Sequence, residues 1–150
     1  MVTTALLCTD GSDYAIEALR VCLPLLAPRD RTIVVTVESP VDPDVEVGIG
    51  FELDGSSEGA DQIETSGDRV AKFHLDRTVE ALGLHDVELH AVVGEPGPAI
   101  CELAARLPAS VVVIGTSGRS GLRRALVGST SDHVIRHAPC PVLVQAVGGH

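Results

Sequence analysis

Two short segments near the C-terminus combine glycines with hydroxyl side chains. Gly115 and Gly118 are separated by two residues, and after nine more residues Gly128-Ser129-Thr130 follows. Glycines let the backbone approach a ligand closely, and a helix that starts at the second segment adds free N–H donors and a positive dipole. Two such groups of donors suit a di- or triphosphate. The alternative is that the glycines only form turns and that Ser129 only caps a helix.

Charge is distributed unevenly along the chain. The net charge is −10, and ten acids but no Lys or Arg lie between Glu38 and Asp68. Four arginines against one acid lie between Thr116 and His137, and one of them, Arg119, directly follows the first glycine pair. Long-range repulsion opposes nucleic acid and anionic membranes, so we expect neither as a partner. A small anion would fit the local basic segment, although a solvated arginine face is the alternative.

The apolar pattern predicts that the glycine segments follow strands of an α/β sheet. Nearly continuous apolar runs alternate with segments of helical spacing, as in parallel strands covered by helices on both faces. We therefore expect a Rossmann-like, three-layer open sheet of five mainly parallel strands with helices on both faces. The predicted strands are 4–9, 32–37, 87–93, 110–114 and 142–147, and the predicted helices run from residue 12 or 13 to Pro28 and over 62–82, 99–107 and 129–137.

Length and composition predict a single cytoplasmic domain. The 150 residues fit one domain, 1–150, with an acidic, exposed loop at about residues 39–61. Four cysteines without a CxxC pair are typical of core residues in a reducing compartment. The N-terminus lacks the basic region of a signal peptide, and no apolar run approaches the roughly 20 residues of a membrane span.

Thr9 ends the first predicted strand and Asp10 follows it, at the edge of the sheet where ligands of such folds bind. No G-x-G-x-x-G follows that strand and the chain contains no G-x-x-x-x-G-K-[ST], which argues against dinucleotide-binding domains and P-loop enzymes. No set of carboxylates is committed to a metal, and no nucleophile has a partner base. We therefore assign no metal ligand and no catalytic residue.

The chain resembles the universal stress protein family over nearly its whole length. TALLCTDGS near the start, VVVIGTSGRSGLRRALVGSTSDHVIRHAPCPVLV near the end and the β/α units between them carry the resemblance. The spacing G-x2-G-x9-G-[ST] marks the ATP-binding branch of that family. This chain satisfies it at Gly115, Gly118, Gly128 and Ser129.

The resemblance implies a fold similar to that of the adenine-nucleotide α-hydrolases and, within it, an adenine-nucleotide site. Asp10 would hold the ribose hydroxyls, Thr9 would line the base pocket, and Val37 would meet the adenine edge through its backbone. The remaining implied positions line the nucleoside and first phosphates (Ile114, Gly115, Ser117, Gly118) or the outer phosphates (Gly128, Ser129, Thr130), with Arg119 between them.

The resemblance also implies a function: an ATP-binding, regulatory homodimer of the stress response that is at most a slow ATPase. ADP or AMP are alternative ligands, Mg²⁺ would accompany the phosphates, and the subunits would pair through strand 142–147 and signal to a protein partner. Two alternatives stay open. One is a scaffold dimer that ignores nucleotide; the other is an adenine-nucleotide α-hydrolase-type enzyme, which would need an S-G-G-x-D-S-like loop where this chain has T-D-G-S.

Overall fold

Parallel strands form one central sheet in the part of the chain that the structure describes. The computed structural model describes residues 2–39, 66–116 and 128–146. The sheet has the order β3-β2-β1-β4-β5, so the direction of strand addition reverses between β1 and β4. The strands are β1 (Thr4–Cys8), β2 (Arg31–Glu38), β3 (Glu88–Val93), β4 (Val111–Thr116) and β5 (Val142–Ala146).

Helices cover both faces of the sheet. Helices α1 and α2 share one core with Leu7 of β1, and helices α3 and α4 share the other with Leu6. This confirms the predicted three-layer α/β fold. None of the described helices has the length and apolar character needed to cross a membrane. The helices are α1 (Asp13–Cys22), α2 (Ser66–Leu82), α3 (Pro96–Arg106) and α4 (Ser129–His137).

The central strand β1 is buried along its whole length. Its side chains alternate between the two cores, because successive residues of a strand point to opposite faces of the sheet. A strand covered on both faces has no solvated position for polar side chains. The polar residues Thr9 and Asp10 therefore come directly after it, at its carboxyl end.

Helix α1 ends earlier than its apolar spacing predicts. The predicted end was Pro28, but α1 ends at Cys22 and a 3₁₀ turn, Leu23–Leu25, follows. Pro24 causes the change, since it has no N–H to donate within an α-helix. The apolar spacing continues through the turn because Leu26 still packs against the core below α1.

Two other boundaries differ from the prediction by two or three residues, and the remaining described boundaries differ by at most one. Strand β4 was predicted to end at Ile114 but continues through Gly115 and Thr116, because both pair with β5. Helix α3 begins at Pro96 instead of Ala99, since the fixed φ of proline suits the first position of a helix. Residues 40–61 of the predicted acidic loop, 62–65 of the predicted second helix and residue 147 lie outside the described residues.

We predict that Gly115→Ala destabilises the fold. A Cβ atom at position 115 would lie 2.6 Å from the Cβ of Ala18, so helix α1 would have to move away from β4. Overpacking of this kind costs about 1–3 kcal/mol. Urea unfolding followed by circular dichroism measures the free energy of unfolding.

Gly128→Ser is the control for this variant. A Cβ at position 128 would meet no described atom closer than the Oγ of Ser131 at 3.8 Å, and serine is favoured at the start of a helix. We expect a change within about 0.5 kcal/mol. An equal loss of stability in both variants would show that close packing against α1 is not what requires glycine at position 115.

Candidate functional site

A cavity of about 230 Å³ opens at the carboxyl ends of the strands, beside the reversal of strand order. Open α/β sheets bind their ligands at this position. The walls come from β1, β2 and β4 and from the first turns of three helices. The described lining residues are Cys8, Thr9, Asp10, Ser12, Ala15, Val35, Val37, Pro96, Ile100, Ile114, Gly115, Thr116, Gly128, Ser129, Thr130 and Ser131.

One wall of the cavity is apolar. Val35 and Val37 of β2, Ile114 of β4 and Ile100 of α3 line it and belong to the core between the sheet and helices α3 and α4. Covering this surface with a flat ring would remove apolar area from water.

The backbone of Val37 offers polar groups beside this wall. The carbonyl oxygen of Val35 accepts a hydrogen bond from the N–H of Thr9 at 3.0 Å, so it points to β1. The backbone groups of Val37, two residues further, point to the same side. Strand β1 ends at Cys8, however, opposite Val35, so the space beside Val37 is occupied by the cavity and not by a strand. This edge of β2 can therefore recognise the polar edge of a ring.

Asp10 is the one charged residue among the described lining residues. It lies in the loop of residues 9–12, here called the Asp10 loop, and is exposed. Its Oδ1 accepts a hydrogen bond from the N–H of Ser12 at 2.9 Å. Ser12 in turn caps α1 by accepting the N–H of Ala15 at 3.2 Å. A carboxylate has about four acceptor positions, so Asp10 keeps capacity for ligand hydroxyls.

Thr9 borders the cavity, but its hydroxyl serves the Asp10 loop. The Oγ1 of Thr9 accepts the N–H of Gly11 at 3.0 Å and lies 2.9 Å from the Oγ1 of Thr78 on helix α2. The side-chain oxygen is therefore satisfied within the protein. A ligand in the cavity would therefore contact Thr9 through atoms other than Oγ1.

Helix α4 presents its N-terminus to the cavity. Gly128 precedes the helix and makes no side-chain cap hydrogen bond, and Ser129, Thr130 and Ser131 of the first turn line the cavity. The Oγ of Ser131 lies 3.3 Å from the carbonyl oxygen of Gly128, to which it donates. The first-turn N–H groups and the hydroxyls of Ser129 and Thr130 are suited to bind an anion, helped by the helix dipole.

The predicted site residues that the structure describes all line this one cavity. Ser117, Gly118 and Arg119 lie outside the described residues. The residues in the cavity that were predicted from the sequence are Thr9, Asp10, Val37, Ile114, Gly115, Gly128, Ser129 and Thr130.

Sequence reasoning missed several lining residues for identifiable reasons. Thr116 belongs to the segment expected at this edge of the sheet but was not assigned to the site, because only its neighbours belong to the glycine pattern. Pro96 was missed because α3 was predicted to begin at Ala99. The alternation of strand residues could have found Val35, which shares a face with Val37. No sequence signal indicated Ile100.

Cys8 lies in the cavity wall but is not a nucleophile. Burial raises the pKa of its thiol far above the ordinary range, with smaller contributions from Cys101 and Cys140. The thiol is therefore neutral at physiological pH. The described part of the chain contains no group of three or more His, Cys, Asp or Glu side chains that could hold a metal ion.

The profile of the universal stress protein family matches residues 1–145. The chain belongs to this family. A universal stress protein of Methanocaldococcus jannaschii is 31% identical over 136 residues, which are 91% of this chain and 77% of that protein.

Solved structures of universal stress proteins share the fold. One, crystallised in complex with cAMP, is 26% identical, covers 96% of both chains and superposes with a TM-score of 0.61. Another, from Archaeoglobus fulgidus, is 23% identical, covers 96% of this chain and 93% of its own, and has a TM-score of 0.61.

We predict that iodoacetamide at pH 8.5 leaves Cys8 unmodified in the folded protein. The reagent needs a thiolate, and burial keeps this thiol both protonated and covered. Peptide mass spectrometry measures the modification, and the same treatment in about 8 M urea, where the protein is unfolded, is the control in which Cys8 should react. Rapid modification in the folded protein would contradict the burial of this cavity wall.

Proposed function

We propose that this protein binds an adenine nucleotide in the cavity beside β1 and β4, with ATP and its Mg²⁺ as the ligand, and acts as a nucleotide-dependent regulator in the stress response. One observation carries the proposal. A single cavity combines an apolar wall, a carboxylate and the uncapped N-terminus of a helix. These three surfaces match the base, the sugar and the phosphates of a nucleotide.

The charges of the cavity decide the direction in which a nucleotide would lie. A carboxylate accepts hydroxyl groups but repels phosphate, so Asp10 belongs at the ribose. The N-terminus of α4 attracts phosphate, so the phosphates belong beside Ser129 and Thr130. The base then lies against the apolar wall, next to the backbone of Val37.

Several observations support an adenine nucleotide with a phosphate chain. The solved universal stress protein that is 26% identical to this chain holds cAMP, a nucleotide with the same base and sugar. The glycine spacing of residues 115–129 and the arginines between them, including Arg119, favour more than one phosphate. Asp10 is the one carboxylate among the described lining residues, so Mg²⁺ would be held chiefly by the phosphates.

The described lining residues favour binding over turnover. They include no histidine, and Cys8 is held neutral by burial. An activated nucleophile needs a base within hydrogen-bond reach. We therefore propose a regulatory protein in which any hydrolysis of ATP is slow and depends on positioning and charge alone.

We further propose that two subunits pair through β5. This strand lies at the edge of the sheet, and four of its five residues are only half-buried. An unpaired edge invites pairing with a second chain. We propose that the dimer acts in the cytoplasm on a protein partner, because its net charge of −10 opposes nucleic acid and anionic membranes.

We predict that Asp10→Ala weakens ATP binding at least about tenfold, because hydrogen bonds to a charged group contribute about 1.5–3 kcal/mol. The loss should be smaller for 2′-deoxy-ATP, which offers one hydroxyl fewer. Isothermal titration calorimetry with Mg²⁺ and each nucleotide gives the dissociation constants.

Glu102→Ala is the charge-matched control for Asp10→Ala. Glu102 is an exposed carboxylate on α3 outside the cavity, and its removal should leave ATP affinity unchanged. A wild-type protein that binds no adenine nucleotide would refute the function. Normal affinity in Asp10→Ala would refute the assigned site.

We predict that Ala146→Pro dissociates the dimer without unfolding the subunit. The Ala146 N–H points away from β4, because the ladder runs through the N–H groups of alternate β5 residues. Proline is tolerated at an edge when its missing N–H faces outward. Analytical ultracentrifugation should show a dimer dissociation constant at least about tenfold higher, because the substitution removes a hydrogen-bond donor from both subunits of the interface. Ala146→Val keeps the N–H and should stay dimeric; an unchanged Ala146→Pro dimer would place the interface elsewhere.

A further inference from the structure

Helix α2 holds the Asp10 loop, although no residue of α2 is among the described lining residues of the cavity. Arg77 contacts both the loop and the start of helix α1. Its Nη1 donates to the carbonyl oxygen of Gly11 at 2.6 Å, and its Nη2 donates to Oδ1 of Asp13, the first residue of α1. One guanidinium therefore ties the loop to the helix that follows it.

A buried chain of hydrogen bonds adds a second attachment. Thr78 donates its hydroxyl proton to the carbonyl oxygen of His74 at 2.8 Å, so Thr9 must donate in the 2.9 Å bond between the two threonine hydroxyls. Thr9 in turn accepts the N–H of Gly11. The donor and the acceptor of each of these hydrogen bonds are thus fixed. Together the hydrogen bonds link Thr9 and Gly11, the two neighbours of Asp10, to α2.

The ring of His74 makes the third contact between α2 and the Asp10 loop. A Cβ atom at Gly11 would lie 2.5 Å from Cδ2 of His74, so the backbone of the loop rests directly on the imidazole. Gly11 has a φ of +76°, which only glycine adopts readily. The ring itself is held by Glu38 of β2, whose Oε1 lies 3.0 Å from its Nδ1.

We infer that Arg77 is a positioning residue for Asp10, through which helix α2 sets the affinity of the cavity for the sugar of its nucleotide. The inference rests on the proposed function. Thr9 and Gly11, the residues on either side of Asp10, are both held from α2, so the direction of the carboxylate depends on a helix that contributes no described lining residue to the cavity. Arg77 is the contact that can be removed with the least damage, since it is partly exposed and lies outside the core.

Arg20 provides a matched control for Arg77. It also bridges α1 and α2, since it donates to Oε2 of Glu17 at 2.6 Å and to the carbonyl oxygen of Ala81 at 3.1 Å. The two arginine side chains are similarly exposed, 50% for Arg20 and 43% for Arg77. Arg20 makes these contacts away from the Asp10 loop. Any general effect of losing an arginine between the two helices should therefore appear equally in both variants.

The experiment compares ATP and 2′-deoxy-ATP binding by calorimetry in the wild type, Arg77→Met and Arg20→Met. We expect the wild type to prefer ATP by about tenfold, Arg77→Met to reduce that preference to about twofold, and Arg20→Met to keep it. Methionine retains the apolar stem and removes both donors. Arg77→Lys, which keeps one charged donor, should recover part of the preference.

A double variant separates positioning from a general loss of structure. If Arg77 acts through Asp10, then Arg77→Met has no further effect on ATP affinity in the Asp10→Ala background. Additive losses would overturn the inference, as would an unchanged preference in Arg77→Met. Should Arg77→Met fail to fold, the preference measured in Arg77→Lys decides: a wild-type value overturns the inference. The proposed function fails separately, if the wild type binds neither nucleotide.

Discussion

Burial of β1 on both faces is the constraint on which the rest of the structure depends. With one core on each side, the strand is apolar from Ala5 to its end at Cys8, and its one polar residue, Thr4, is buried. The strand order reverses beside the same strand, so the adjacent connections leave in opposite directions and open a cavity there. The polar residues Thr9 and Asp10 therefore lie where this cavity reaches the carboxyl end of the central strand.

Close packing at two glycines brings the helices to this cavity. A Cβ at Gly115 would meet Ala18, and a Cβ at Gly97 would lie 2.7 Å from the Cβ of His133. The first glycine lets α1 lie against β4, and the second lets α3 lie against α4. Because of these contacts, the N-terminus of α4 and the Asp10 loop border one cavity instead of separate clefts.

The hydrogen bonds of the Asp10 loop suit a site that is formed before its ligand arrives. The carboxylate is held by the N–H of Ser12, and the loop is held by contacts with His74, Arg77 and Thr78 of α2. A site that is ordered in advance loses less conformational entropy when a ligand binds. An exposed carboxylate fixed in this way suits the proposed binding of the ribose hydroxyls.

Much of the fold was predictable because local signals and tertiary packing agree. Helix α4 has the predicted bounds, Ser129–His137, since Gly128 precedes it and prolines follow it closely. Agreement failed in two ways: a tertiary contact outweighed the local signal at the end of β4, and a local signal, Pro24, outweighed the apolar spacing at the end of α1. Pairing with β5 carried β4 through Gly115, although glycine is a poor strand residue, and a 3₁₀ turn at Pro24 continued the apolar spacing without continuing α1.

The sequence by itself determined the fold class, the family and the residues at the strand ends, because each depends on spacing along the chain. Only the tertiary structure decided what those residues do there. It directs the hydroxyl of Thr9 to Thr78 and assigns Gly115 to packing against Ala18. It also places Arg77 beneath the Asp10 loop, 66 residues from the carbonyl that it binds. Contacts of this kind join residues far apart in the chain, and no local pattern of side chains encodes them.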